Sequence, residues 1–153
     1  MTQLIENLKE WQELRNSPRF RSKKTGFIPT MGALHAGHMQ LVARAAEEND
    51  ITVTSIFVNP TQFDNPLDLE KYPRTLEQDF ESLKTASVDY VLHPSAAAMY
   101  PDQGRYRVDE TELSQVLCGA HRPGHFSGML TVVLKLLSLV RADRAYFGEK
   151  DFQ

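Results

Sequence analysis

The sequence predicts an α/β protein with a doubly wound, mostly parallel sheet and helices on both faces. Three observations carry this prediction. Short apolar runs rich in β-branched residues, clearest in ITVTSIFV (51–58), alternate with stretches of helical periodicity. The spacing between successive runs suits βαβ crossovers. The loops after these runs carry unusual polar residues, and in such sheets ligands bind beyond the carboxyl ends of the strands.

The elements are taken in chain order. Leu4, Ile5, Leu8, Trp11 and Leu14 repeat at helical spacing, which predicts a helix over 3–15. A basic stretch then leads into a short buried strand at Gly26–Ile28, with Pro29 as its stop. Met39, Leu41, Val42, Ala45 and Ala46 predict a helix fading at Glu47–Asp50. The strand 51–58 ends at Asn59–Pro60, and a loop runs to Pro73. Thr75 with Gln78 reads as a capping box opening a helix to about Ala86. Val88–Leu92 is a further strand. SAAAMY suggests a short helical turn, RYRV (105–108) a short strand, and Glu112–Cys118 a helix stopped by Gly119. The loop HRPGHFSG (121–128) precedes the apolar helix MLTVVLKLLSLVRA, and Arg144–Phe147 is the last strand. Four loops therefore leave the sheet at one edge: 29–37, 59–66, 93–95 and 148–151.

Composition narrows the function classes. A formal net charge of −3 gives no global basic field for nucleic acid. No apolar run approaches the roughly 18 residues of a membrane span. The lone Cys118 excludes an internal disulfide and fits a reducing compartment. With no signal-peptide pattern at the N-terminus, the expectation is a cytoplasmic protein of one domain.

The stretch PTMGALHAGH (29–38) is the most informative. Gly32 and Gly37 let the backbone approach a ligand. The helix next in the chain offers free N–H groups and the positive end of its dipole, which suit a phosphate. His35 and His38, three apart, share a face and can stabilise charge that builds during a transfer. The same residues also read as a tight turn and a helix cap. Zinc is disfavoured, because the Glu of HExxH and any cysteine cluster are missing. GEKD (148–151) is a second phosphate-type loop, with Gly148, a mobile cation at Lys150, and Asp151 suited to a ribose or a metal. In VNPTQFDNP, the amides of Asn59 and Gln62 suit a small polar substrate. Arg74, Asp79, Arg122 and His125 are further candidates, the last two flanking Pro-Gly in a loop that would serve as a lid.

Taken in order, PTMGALHAGH, SIFVNPTQFD, YPRTLEQD, RPGHFSG and FGEKDFQ resemble pantothenate synthetase, the pantoate–β-alanine ligase family of the HxGH nucleotidyltransferase superfamily. The resemblance implies a Rossmann-like nucleotide-binding domain over 1–153, with the family's smaller C-terminal domain absent from this chain, and a homodimer. It implies that ATP and pantoate form pantoyl adenylate and pyrophosphate with Mg²⁺, and that β-alanine then displaces AMP. It places Met31, Gly32, Ala33, Leu34, His35, Ala36, Gly37 and His38 at ATP, with Gly148, Glu149, Lys150 and Asp151. His38, His35 and Lys150 would be catalytic. Gln62 and Asn59 would bind pantoate and β-alanine, and Asp79 would join the magnesium–phosphate cluster.

Overall fold

The computed structural model describes residues 1–153. The chain forms β1 (Gln3–Ile5), α1 (Leu8–Arg15), α2 (Pro18–Arg21), β2 (Thr25–Thr30), α3 (Ala36–Glu48) and β3 (Ile51–Ile56). After them come α4 (Pro66–Lys71), α5 (Leu76–Thr85), β4 (Tyr90–Leu92), α6 (Ala96–Met99), α7 (His125–Val140) and β5 (Arg144–Ala145). All five strands are parallel, in the order β1-β4-β3-β2-β5. The chain steps outward from β2 to β4, then crosses back to lay β5 on the other side of β2. The strand order therefore reverses at β2, and the loops after β2 and β5 flank the reversal point.

Strand alternation divides the core between two faces. Phe27, Val53, Tyr90 and Leu92 pack under Trp11, Phe20, Val132, Leu136 and Val140, which come from α1, α2 and α7. Ile28, Ile56 and Val91 face Val42, Ala45 and Leu83 of α3 and α5. The doubly wound expectation is met. Trp11 is fully buried, and its indole N–H donates to Leu139 O at 2.9 Å, which fastens α1 to α7.

Several local expectations are corrected. Residues 3–5 are a strand, because Gln3, Leu4 and Ile5 pair with Tyr90, Val91 and Leu92 at the sheet edge. The helix begins only after Asn7, whose side chain accepts the N–H groups of Lys9 and Glu10. Pro29 does not end its strand. The carbonyls of Thr25 and Phe27 face the β5 side, where they take the N–H groups of Asp143 and Tyr146. Pro29, two residues on, faces the same side past the end of β5, so its missing N–H costs no ladder bond. The strand predicted to end at Val58 ends at Ile56, and the loop behind it contains a 3₁₀ turn at Pro60–Gln62 as well as α4.

Thr75 sits at the start of α5 without a side-chain cap, and its hydroxyl donates to Asp79 Oδ2 at 3.0 Å, so the capping box with Gln78 does not form. RYRV joins no sheet, since the Val108 N–H is taken by Thr131 Oγ1 of α7. Residues 112–121 form two 3₁₀ turns, with Leu117 at φ 51° between them. Helix α7 starts at His125, four residues before the expected Met129.

Candidate active site

The backbone of the loop after β2 is almost fully committed. Thr30 Oγ1 donates to Ser55 O and accepts the Gly32 N–H at 3.2 Å. Gly32 (φ 82°) and Ala33 (φ 51°) are consecutive left-handed residues. The N–H groups of Ala33 and Leu34 both donate to the Asp79 carboxylate, each at 2.8 Å. His35 caps α3, its Nδ1 accepting the Gly37 N–H at 3.1 Å, while His38 Nδ1 accepts the His35 N–H at 3.4 Å. The turn-and-cap reading is thus realised, and it has a chemical consequence. With Nδ1 of each ring an acceptor, the neutral imidazoles carry their proton on Nε2, leaving an N–H donor on each. The rings lie 4.1 Å apart between centroids.

The sequence suggests several free N–H groups at this helix start, and the structure narrows them. Those of Gly32 to His35, of Gly37 and of His38 are engaged, the last by the His35 ring in a capping box, which leaves Ala36 without an intramolecular partner. The donors left unengaged at this helix start are therefore the Ala36 N–H, two imidazole N–H groups and the positive end of α3, a set suited to an anion.

The loop after β5 stands opposite. Gly148 precedes a 3₁₀ turn over Glu149–Asp151, and Lys150 Nζ pairs with Asp151 Oδ1 at 2.7 Å. Both groups reach His38 electrostatically. Burial lowers the His38 pKa most, then the neighbouring His35 and Lys150, while Asp151 and Asp79 work the other way. Thus His35, His38, Lys150 and Asp151 are assembled across the reversal point from residues more than a hundred positions apart.

Asn59 and Gln62 occupy different settings. Asn59 is 0% exposed and its amide is fully used. Its Oδ1 accepts from the Tyr100 hydroxyl at 2.7 Å and from Thr61, and its Nδ2 donates to Gln62 Oε1 at 3.0 Å and to Gly128 O at 3.1 Å. The Asn59 amide is thus spent on protein partners, one of which is the Gln62 side chain. Gln62 Nε2 points to Met31 Sδ at 3.1 Å, a weak acceptor that a better one would displace.

His125 is not in a loose lid. It opens α7, with Nδ1 at 2.9 Å from Gln62 O and Nε2 at 3.1 Å from Arg122. Arg74 lines the same cavity as Met31, Gly32 and Asp79, its guanidinium resting on the carbonyls of Leu69, Glu70 and Tyr72 at the end of α4. Tyr100 and Thr61 join the site without any signal in the sequence; no local pattern marks a Tyr as the partner of an Asn forty residues earlier.

Asp79, expected beside magnesium, is only 3% exposed and takes three donors: Ala33 N–H, Leu34 N–H and Thr75 O–H. No three His, Cys, Asp or Glu side chains converge on a common point. A cavity of about 280 Å³ opens beside this loop, lined among others by Met31, Gly32, Thr75, Asp79 and His93.

Fold and site together define a class, a Rossmann-like α/β domain with an H-x-G-H loop at the sheet's reversal point. Comparison with known proteins makes it specific. The chain belongs to the pantoate-beta-alanine ligase family, whose model matches residues 3–153. It is 54% identical over 153 residues to a pantothenate synthetase of Bdellovibrio bacteriovorus, covering 100% of this chain and 60% of that protein. With one from Fervidobacterium nodosum it shares 52% identity, over 98% of this chain and 54% of the relative. The crystal structure of pantoate-beta-alanine ligase from Francisella tularensis, complexed with beta-gamma ATP and beta-alanine, superposes with a TM-score of 0.96 at 47% identity, covering 99% of this chain and 58% of that one. Pantothenate synthetase from Thermus thermophilus gives 0.89 at 45% identity, over 98% and 53%. The chain thus spans a little over half the length of the relatives it matches.

Proposed function

We propose that this chain carries the adenylation centre of a pantoate–β-alanine ligase, which joins pantoate to β-alanine at the expense of ATP. The observation that carries the reading is the convergence of His35, His38 and Lys150 at the reversal point, in a family whose Francisella member is complexed with an ATP compound and β-alanine.

In the first step the pantoate carboxylate attacks the α-phosphorus of ATP. A carboxyl–phosphorus bond forms, the α–β bond breaks, and pyrophosphate leaves. Two anions must meet, so the site has to neutralise charge as it builds. The Nε2–H groups of His35 and His38, the Ala36 N–H, Lys150 and the α3 dipole do this. Met31 to Leu34 and Gly148 to Asp151 form the two walls of the nucleotide site. Gln62, held by Asn59, turns its amide to pantoate in place of Met31 Sδ. In the second step the β-alanine amine attacks the acyl carbon, the acyl–oxygen bond breaks, AMP leaves and the amine gives up a proton. Alignment supplies most of that step, since adenylate is already a good leaving group.

Magnesium accompanies the nucleotide. The side chains present do not build a magnesium site of their own, and this ion is commonly held mainly by substrate phosphates. The assembly is read as a homodimer acting in the cytoplasm. Exposed Tyr106, Leu113, Val116, Leu117 and Leu134 support the dimer as apolar surface available for burial. No helix is long and apolar enough to cross a membrane.

The test is pantoate-dependent ATP–pyrophosphate exchange with Mg²⁺ on this chain. Exchange that requires pantoate is the expected result. Exchange supported by a phosphorylated acceptor in place of pantoate, or failure of the chain to bind ATP at all, overturns the reading.

A further inference from the structure

We infer that Asp79 is a positioning residue that clamps the Gly32–Leu34 turn from below, and that it is not a ligand of magnesium. The N–H groups of Ala33 and Leu34 in this turn converge on one spot, an arrangement that ordinarily attracts an anion. Here the protein fills it with its own carboxylate. Asp79 Oδ2 takes Ala33 N–H at 2.8 Å and Thr75 O–H at 3.0 Å, and Oδ1 takes Leu34 N–H at 2.8 Å. An ionised carboxylate has about four lone-pair positions, so three donors leave little for a metal. A Cβ on Gly32 would lie 3.0 Å from Asp79 Oδ2, so turn and carboxylate are closely fitted.

The clamp also governs the next residues of the chain. Leu34 is held one residue before His35, whose N–H fixes the His38 ring and whose own Nδ1 takes Gly37. Asp79 thereby sets the tautomer and aim of both imidazoles without touching substrate. It also closes the inner concavity to phosphate, leaving the Ala36 N–H and the two imidazole Nε2–H groups as the donors for an anion.

This inference rests on the proposed nucleotide site, but its first test does not. In the ligand-free chain, amide hydrogen exchange by NMR should show Ala33 and Leu34 protected. Asp79→Asn should speed both by about tenfold or more, as the loss of charged hydrogen bonds implies. The ring nitrogen shifts of His35 and His38 should move toward mixed tautomers, while those of His93 and His125 stay put, which general loosening of the fold would not produce. Asp79→Glu keeps the charge but is too long to hold both amides, and should behave like Asp79→Asn. Thr75→Ala, which leaves both amide bonds in place, should change the amides least and serves if the Asp79 variants do not fold: it should loosen Asp79 enough to speed Ala33, bonded to the same oxygen, more than Leu34.

The second test is ATP affinity by calorimetry, in Mg²⁺ and in EDTA. Removing a negative charge should by itself strengthen anion binding, so a fall is diagnostic. The clamp predicts that Asp79→Asn weakens ATP by about tenfold in both media. Unchanged amide exchange, or a loss of affinity confined to Mg²⁺, overturns the inference. A wild-type chain that binds no ATP would remove the nucleotide site, and the amide result would still decide the clamp.

Discussion

The two halves of the site are held in opposite ways. Around Asn59, each polar atom has a partner inside the protein, and the group is closed by α7 on one side and Tyr100 on the other. Around His35 and His38 the backbone is engaged from below, while both Nε2–H groups and the Ala36 N–H have no partner in the protein and Lys150 pairs only with its exposed neighbour Asp151. Charge appears and moves in a phosphoryl transfer, and unengaged donors meet it where it arises. A small acid that only needs to be oriented is better served by a pocket whose geometry is fixed beforehand. Substitutions in the closed half should therefore cost stability, and substitutions in the open half should cost chemistry.

The severest test of that contrast is Gly128→Ala. Helix α7 lies against the Pro60–Gln62 turn at this residue, where a Cβ would fall 2.2 Å from Thr61 O and 2.8 Å from Gln62 Cα. Both obstacles are backbone, so neither can swing aside. Chemical denaturation should show a loss of about 3 kcal/mol or more, at the upper end for overpacking. A variant as stable as the parent would mean that the closed half is less rigid than its packing indicates.

Asn59→Ala comes next. It leaves Gln62 Oε1 without its hydrogen-bond partner in a buried setting, removes the Nδ2 donor from Gly128 O, and leaves the Tyr100 hydroxyl with Thr61 alone. The expected cost is about 2–3 kcal/mol by denaturation, since buried polar groups are orphaned while little volume is lost. Tyr100 offers an independent readout. Burial raises its phenol pKa, and its O–H donates to Asn59 Oδ1, a bond that only the protonated phenol makes. Without Asn59 that bond is lost and the phenol should titrate lower in an ultraviolet pH titration; an unchanged midpoint would detach Tyr100 from the network.

How much of this is legible in the sequence depends on whether the cause is local. The turn and cap between β2 and α3 are legible, because glycines and spaced histidines at a strand–helix junction act through their own backbone. The apolar, β-branched runs mark β2, β3 and β4 because burial on both faces of a parallel sheet demands them. Residues 3–5 mislead, since Leu4 and Ile5 fit a helix as well as a strand and only the distant edge of β4 decides between them. The start of α7 reads late because Gly128 looks like a breaker, whereas it is there to let the helix approach Thr61. Asn59 points to a substrate for the same reason: its partners, Tyr100 and Gly128, lie 41 and 69 residues away. Asp79 stands out as a candidate, but its hold on a loop 45 residues earlier is a fact of tertiary structure.

The gentlest effect belongs to the open half, and pH brings it out. Burial chiefly, then His35 and Lys150, keep the folded-state pKa of His38 below its ordinary value of 6.5. Above that value the ring is neutral in both folded and unfolded chains and contributes nothing to the pH dependence. As pH falls below it, the unfolded chain takes up the proton first, so stability declines through the window between 6.5 and the lower folded-state value. His38→Gln should remove that decline and change stability at about pH 7.5 by no more than about 0.5 kcal/mol, as for other substitutions outside the core. A bound polyphosphate reverses the sign. Its negative charge favours imidazolium, so the pKa rises on binding and a proton is taken up. Calorimetry of ATP binding near pH 6, in two buffers of different ionisation enthalpy, measures that proton directly. His38→Gln should take up less than the parent chain. Equal uptake by the two proteins would place His38 away from the phosphates, and the open half would lose the residue that most clearly marks it as the receiver of charge.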